Sequence, residues 1–161
     1  MTAALAAEFR DDFRYHKLSA STKGNPKTAW PLNEPIMRML IVDDSKAMRT
    51  FLSSLAQEWS FVVTEAVDGR DALDILIKND PKDPFAIALV DWDMPRMNGC
   101  ELVQHLRRNH DFDELKLLMV TTANSLEKIT EALTAGANDF LMKPVTKDAL
   151  AEKLQILGLV D

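Results

Sequence analysis

The sequence FAIALVDWDMPRMNG, residues 85–99, contains the pattern that decides the fold of this chain. Its apolar start, Phe85–Val90, is too short for a helix and suits a strand that is buried on both faces. Two acids, Asp91 and Asp93, follow the apolar run almost at once. We therefore expect further strands of this kind, each ending in polar side chains.

Four similar apolar runs lie on either side of this one: Met39–Val42, Phe61–Val63, Leu117–Val120 and Phe140–Met142. Between and after them, apolar residues recur at helical spacing. Helix starts are indicated at Ser45, Asp68, Asn124 and Thr146, and a helix end at Gly136. The expected apolar faces are Met48/Phe51/Leu52/Leu55, Ala72/Leu73/Leu76/Ile77, Leu102/Val103/Leu106, Leu126/Ile129/Leu133 and Leu150/Leu154/Leu157.

This alternation of strand and helix predicts the α/β class. Parallel strands need crossover connections, and those connections are right-handed. The predicted architecture is therefore an open, five-stranded parallel sheet, doubly wound with helices on both faces. We expect this domain to occupy residues 37–161.

Composition limits the classes of function. The chain has 161 residues, is 47% hydrophobic and 27% charged, and has a formal net charge of −6. A net negative domain is a poor binder of nucleic acid, whose phosphates favour basic surfaces. No apolar run is long enough for a membrane span, the N-terminus does not read as a signal peptide, and Cys100 is the single cysteine. We expect a cytoplasmic protein without an internal disulfide.

Residues 1–36 differ from the rest. Leu5, Phe9 and Phe13 recur every four residues, so Thr2–Lys17 could form a short amphipathic helix, and the segment Ser19–Pro35 has the composition of a linker. The extension is either a solvated tail or a docked helix with a role. Because a short isolated helix is marginal in water, we expect a tail, and we expect a chain beginning at Met37 to fold alone.

Polar residues follow four of the five predicted strands, whereas the second strand, ending near Glu65, is the least distinctive. In an open α/β sheet, ligands bind beyond the carboxyl ends of the strands. One rim of the sheet should therefore collect Asp43, Asp44, Asp91, Asp93, Thr121, Thr122 and Lys143.

These side-chain types suit phosphoryl transfer. Crowded carboxylates repel one another, and a hard divalent cation such as Mg²⁺ relieves that cost. A lysine gives a phosphate a positive charge, a threonine hydroxyl can donate to it, and a carboxylate can be its nucleophilic acceptor. Taken singly, each acid is more often a helix cap or a turn residue. The hypothesis therefore rests on the four strand ends together.

Four motifs resemble the receiver domains of two-component response regulators: LIVDD at residues 40–44, LVDWDMPRMNG at residues 89–99, VTTA at residues 120–123 and AGANDFLMKP at residues 135–144. The resemblance spans residues 37–157 and looks closest to single-domain, chemotaxis-type (CheY-like) regulators. It implies a flavodoxin-like fold and a partner histidine kinase that donates from a phosphohistidine.

The resemblance implies a role for each site residue. Asp91 would be the phosphoacceptor, and Mg²⁺ would be held by Asp43, Asp44, Asp91 and the backbone carbonyl of Asp93. Thr121 would be the switch hydroxyl and Lys143 its charge partner, with a cis bond before Pro144. Phosphorylation would be read on the face formed by the fourth helix, the fifth strand and the fifth helix, through Ile129, Phe140 and Lys153, by a target such as the flagellar motor switch.

Some positions depart from the chemotaxis pattern. Asp93 stands where an asparagine is familiar, Ala123 where a polar residue is common, and Phe140 where a tyrosine is usual. The first two flank the path of attacking water, so they bear on the lifetime of the phosphorylated state. Phe140 could simply be a core aromatic, and Trp92 a partly exposed surface one.

Several other functions remain open. A phosphorelay intermediate or a non-chemotactic single-domain regulator would use the same site. The Asp-x-Asp of Asp91 and Asp93 also resembles that of haloacid-dehalogenase-type phosphatases, although that family has its pair near the domain start. A binding module that has lost the chemistry would lack one of the site residues, and none is lacking. Only residues 158–161 follow the last predicted helix, so we expect no DNA-binding effector domain.

Overall fold

The computed structural model describes residues 36–122 and 126–161. Its five strands form one parallel sheet in the order β2-β1-β3-β4-β5, so β3 is the central strand. The sheet confirms the predicted α/β class. The strands are β1 (Arg38–Val42), β2 (Val62–Ala66), β3 (Phe85–Asp91), β4 (Lys116–Thr121) and β5 (Asp139–Met142).

Helices connect the strands and cover both faces of the sheet. Buried side chains of α2, α3 and α4 pack on one face, and those of α1 and α5 pack on the other. None of the described helices is long and apolar enough to cross a membrane. The helices are α1 (Lys46–Glu58), α2 (Gly69–Lys78), α3 (Gly99–Arg107), α4 (Leu126–Ala135) and α5 (Lys147–Ile156), with a short 3-10 helix at His110–Phe112.

Side chains cap most of the helices as the sequence predicted. Ser45, Asp68 and Thr146 each accept a hydrogen bond from a backbone N–H in the first turn of α1, α2 and α5. Gly136 follows α4 with a φ of 113°, a left-handed conformation that suits glycine. The predicted start at Asn124 lies outside the described residues, as does the extension through residue 35.

The predicted apolar faces were partly wrong. Leu102, Val103 and Leu106 of α3 are buried as expected, but Phe51, Ile77, Leu126 and Leu133 are exposed. In α1 the buried face is shifted, because the charged side chain of Arg49 turns inward. Phe61 is buried but precedes β2, since its N–H bonds the carbonyl of Ala56 at the end of α1.

Candidate functional site

The site forms at the carboxyl ends of the strands. Asp91 is the last residue of the central strand, and Asp43 directly follows β1 on one side of it. On the other side, β4 ends at Thr121, and Lys143 directly follows β5. Parallel pairing puts all four strand ends at one edge, so residues far apart in sequence meet there.

Three carboxylates converge at this edge. One oxygen from each of Asp43, Asp44 and Asp91 lies within 4.8 Å of the other two. Asp43 and Asp91 are buried, whereas Asp44 is exposed to solvent. Mg²⁺ prefers oxygen ligands, usually one or two carboxylates together with several waters, and three carboxylates this close together can supply that number directly and still leave one to act through water. The donor set therefore fits the expected ion.

Lys143 lies opposite the acids. Its Nζ donates to Asp91 Oδ1 at 3.0 Å and to Asp43 Oδ2 at 3.2 Å. Burial would lower the pKa of Lys143, but the bonds and charges of Asp91 and Asp43 outweigh burial, and the pKa lies above its usual value. The backbone N–H of Lys143 also donates to the carbonyl of Thr121, and its bond to Pro144 is cis, as expected.

Asp91 lies in an environment that disfavours its charge. Burial raises the pKa of Asp91 first, and the neighbouring carboxylates of Asp43 and Asp44 raise it further, although Lys143 opposes both effects. Carboxylates that lie this close together repel one another. A bound cation, or a reaction that removes the charge of one of them, would relieve that repulsion. The electrostatics therefore agree with the donor set.

The loop after β1 orients the first acid. Asp43 Oδ1 accepts the backbone N–H of Ser45 at 2.8 Å, which leaves Oδ2 turned toward Lys143. Behind the loop, the guanidinium of Arg49 donates from Nη1 to the carbonyl of Asp43 at 2.8 Å and from Nε to Glu65 Oε2 at 2.9 Å. The loop is thus held from both sides.

The loop after β3 packs tightly against the strand that it leaves. A Cβ on Gly99 would lie 2.3 Å from the carbonyl oxygen of Asp91, so only glycine fits there. Asn98 and Glu101 form a capping box at the start of α3. Trp92 is buried rather than partly exposed, which corrects the alternative drawn from sequence, whereas the Asp93 side chain is 70% exposed.

The predicted readout residues lie on neighbouring elements. Phe140, Ile129 and Lys153 are all partly buried. Lys153 Nζ donates to both carboxylate oxygens of Asp139 at 2.9 Å and lies 5.1 Å from the centroid of the Phe140 ring. Thr121 is buried at the end of β4, Thr122 is exposed, and Ala123 falls outside the described residues.

Four residues near the site were missed by the sequence analysis: Arg49, Glu65, Asp68 and Arg96. Arg49 stands between two predicted apolar positions of the first helix, and Arg96 lies within the loop motif that follows the third strand. The acids follow or end the strand that looked least informative. A charged residue at a position that helical spacing would bury, as with Arg49, was the one signal that could have revealed part of this set.

Comparisons with known proteins indicate the family of this chain. The family described as Response regulator receiver domain matches residues 39–155. A chemotaxis protein CheY homolog of Campylobacter jejuni is 38% identical over 124 residues, or 76% of this chain and 93% of that protein. Chemotaxis protein CheY-3 of Vibrio cholerae is 40% identical over 119 residues, 73% and 88% of the two chains.

A solved structure is similar as well. That of the chemotaxis response regulator CheY4 of Vibrio cholerae has a TM-score of 0.70 and 33% identity to this chain. The similarity covers 76% of this chain and 99% of that one.

Proposed function

The chain belongs to the response regulator receiver domain family, and from this premise we propose that it is a phosphorylation switch whose acceptor is Asp91. The donor is a phosphohistidine of a sensor histidine kinase. One observation supports this most: Asp91 ends the central strand, with the acids of the β1 loop on one side and Thr121 and Lys143 on the other.

The proposed transfer needs little covalent chemistry from the protein. A carboxylate oxygen of Asp91 bonds to phosphorus as the phosphorus–nitrogen bond to histidine breaks, and the imidazole leaves. Mg²⁺, held by Asp43, Asp44, Asp91 and the carbonyl of Asp93, would neutralise charge on the phosphoryl oxygens. Lys143 is within reach of the same oxygens, because it already bonds Asp91. Thr121 can donate its hydroxyl to one of them.

Phosphorylation then changes the charge at one rim of the sheet. A phosphoryl group adds about −1.5 to −2 charges and new acceptor oxygens. We propose that Thr121 moves toward it and that the change is read on the α4-β5-α5 face through Ile129, Phe140 and Lys153. Relatives named as chemotaxis proteins favour a role in chemotaxis. We propose that this chain acts in the cytoplasm on a motility target such as the flagellar motor switch.

The acceptor can be tested directly. Radiolabel from acetyl phosphate, or from a phosphorylated kinase, should enter the wild-type protein in the presence of Mg²⁺ and should not enter it when EDTA is present from the start. Asp91→Asn should abolish labelling because the nucleophilic oxygen is gone. Asp74→Asn, an exposed acid on α2, is the matched control and should label like wild type. Full labelling of Asp91→Asn would refute the assignment.

A further inference from the structure

The end of β2, which looked uninformative in the sequence, touches both loops of the site. Glu65 lies near the end of β2, and Asp68 caps the helix that follows. Each acid pairs with an arginine that belongs to a different side of the site: Arg49 on α1 and Arg96 in the loop after β3. Neither pair takes part in the transfer proposed above.

The first pair holds the loop after β1. Arg49 is buried, and its guanidinium joins the carboxylate of Glu65 to the backbone carbonyl of Asp43. Ser53 Oγ donates to the other oxygen of Glu65 at 3.0 Å. A buried guanidinium is costly unless its charge is paired. Glu65 therefore fixes Arg49, and Arg49 fixes the carbonyl of Asp43.

The second pair holds the loop after β3. Arg96 has a φ of 65°, a left-handed conformation that is strained for a residue with a side chain. Its Nε donates to Asp68 Oδ2 at 2.6 Å, and Asp68 Oδ1 accepts the N–H of Asp71. Burial acts to raise the pKa of Asp68, but the bonds from Asp71 and Arg96 outweigh it and the pKa is lowered.

Backbone contacts reinforce this second hold. The N–H of Gly69 donates to the carbonyl of Met97 at 3.2 Å, and a Cβ on Gly69 would lie 2.7 Å from that oxygen. The start of α2 is therefore in direct backbone contact with the loop that contains Asp93. The observed strain at Arg96 persists because these contacts determine the conformation of the loop.

We propose that Glu65 and Asp68 are positioning residues that act through Arg49 and Arg96 to set the affinity of the site for Mg²⁺. The inference rests on the proposed function, because it assigns Mg²⁺ to Asp43, Asp44, Asp91 and the Asp93 carbonyl. Mg²⁺ demands near-ideal octahedral geometry. A small displacement of either loop should therefore weaken binding without removing a ligand.

Three substitutions test the proposal without disturbing the core. Glu65→Gln keeps the shape and an acceptor oxygen but loses the charge that pairs with Arg49. Asp68→Asn keeps an N-cap for α2, and Arg96→Asn tolerates the left-handed conformation, so each loses only its half of the second pair. Matched controls are Glu152→Gln on α5 and Arg70→Gln on α2, both exposed.

The readout is the dissociation constant for Mg²⁺, from intrinsic tryptophan fluorescence and from the rise of melting temperature with Mg²⁺, using the full chain. Each of the three variants should bind Mg²⁺ about tenfold more weakly, the lower end of the range for residues that support metal ligands. The controls should match wild type. In EDTA, Glu65→Gln should melt below its control because it leaves the buried charge of Arg49 unpaired, so the test is the dissociation constant for Mg²⁺ and not the melting temperature of the metal-free protein.

Two double variants separate the effects of the two pairs. Asp68→Asn with Arg96→Asn should bind Mg²⁺ no more weakly than either single variant, because both break the same link. Glu65→Gln with Asp68→Asn should combine their losses. Wild-type affinity in all three single variants would overturn the inference and leave the proposed function intact. A wild-type protein that ignores Mg²⁺ would instead overturn the proposed function.

Discussion

Helices α3 and α4 follow adjacent strands of the sheet, yet they are anchored very differently. In α3, the buried residues are Gly99, Cys100, Leu102, Val103 and Leu106, whereas in α4 the one described buried residue is Ala132. The α4 leucines face solvent, with Leu126 81% and Leu133 43% exposed. One helix is fixed by its core contacts, and its neighbour is held by few.

The difference matches what each helix follows. Helix α3 begins after the strand that ends at Asp91, the proposed acceptor, and a Cβ on Gly99 would lie 2.3 Å from the carbonyl oxygen of that residue. Helix α4 follows the strand that ends at Thr121, the proposed switch hydroxyl. Elements that move in signalling are drawn from the least stable parts of a fold. The proposed acceptor thus lies beside a helix with many buried side chains, and the proposed switch hydroxyl precedes a helix with few buried side chains among the described residues.

The largest effect should come from matched truncations in the two helices. Leu106→Ala removes a fully buried side chain from α3 and should lower the free energy of unfolding by about 2–5 kcal/mol. Leu133→Ala removes a half-exposed side chain from α4 and should cost less than about 1 kcal/mol. Urea denaturation of both variants measures the difference. Equal losses would show that α4 is anchored as firmly as α3.

Hydrogen exchange should show the same contrast without any mutation. Amides in α4 should exchange at least about tenfold faster than those in α3, because α4 can open locally with little loss of buried apolar contact. Peptide-resolved deuterium uptake at neutral pH is the measurement. Protection factors that are indistinguishable in the two helices would contradict the comparison.

The sequence predicted the regular parts of the fold because their signals are local. Short apolar runs located all five strands, and capping residues located the starts of α1, α2 and α5. The polar residues that directly follow the predicted strands also located the candidate site, because parallel strands have their carboxyl ends at the same edge of the sheet. These features depend on neighbouring residues and on one rule of topology.

The errors concern residues whose partners are remote in the chain. Leu126 and Leu133 have helical spacing but are exposed. The side chain of α4 that packs into the core beside α3 is the small one of Ala132. Arg49 is buried because Glu65 and the Asp43 carbonyl receive its charge and its hydrogen bonds. Periodicity alone contains no information about such partners.

The charge of Asp91, the proposed acceptor, should lower the stability of the folded protein. Burial and the neighbouring acids raise the pKa of Asp91 in the folded state above its ordinary value of 3.8, so the ionised group destabilises the fold. The cost is absent below the unfolded pKa and grows as pH rises through the folded pKa. In EDTA, Asp91→Asn should therefore be more stable than wild type at pH 7 and no more stable near pH 3.

This prediction is checked by denaturation of both proteins across that pH range. Addition of Mg²⁺ at pH 7 should stabilise wild type more than Asp91→Asn, because the variant offers one charge less to the ion. An Asp91→Asn protein that is less stable than wild type at pH 7 in EDTA would mean that the bond from Lys143 outweighs the burial of the acid.

The smallest effect should come from a link between the two sides. Lys128 on α4 has its Nζ 3.9 Å from Asp93 Oδ1 and 5.8 Å from the centroid of the Trp92 ring. Exposed ion pairs contribute about 0–1 kcal/mol, since water screens them and both side chains lose freedom.

The Lys128→Met variant keeps the length of the side chain and removes the charge. It should change the free energy of unfolding by less than about 0.5 kcal/mol, and the change should shrink further in about 1 M salt, where screening acts over roughly 3 Å. Its Trp92 emission should still shift, because a cation near the ring is gone. A loss comparable to that of Leu106→Ala would mean that this pair anchors α4 to the acceptor loop, and that the two helices differ in the kind of contact that holds them rather than in its strength.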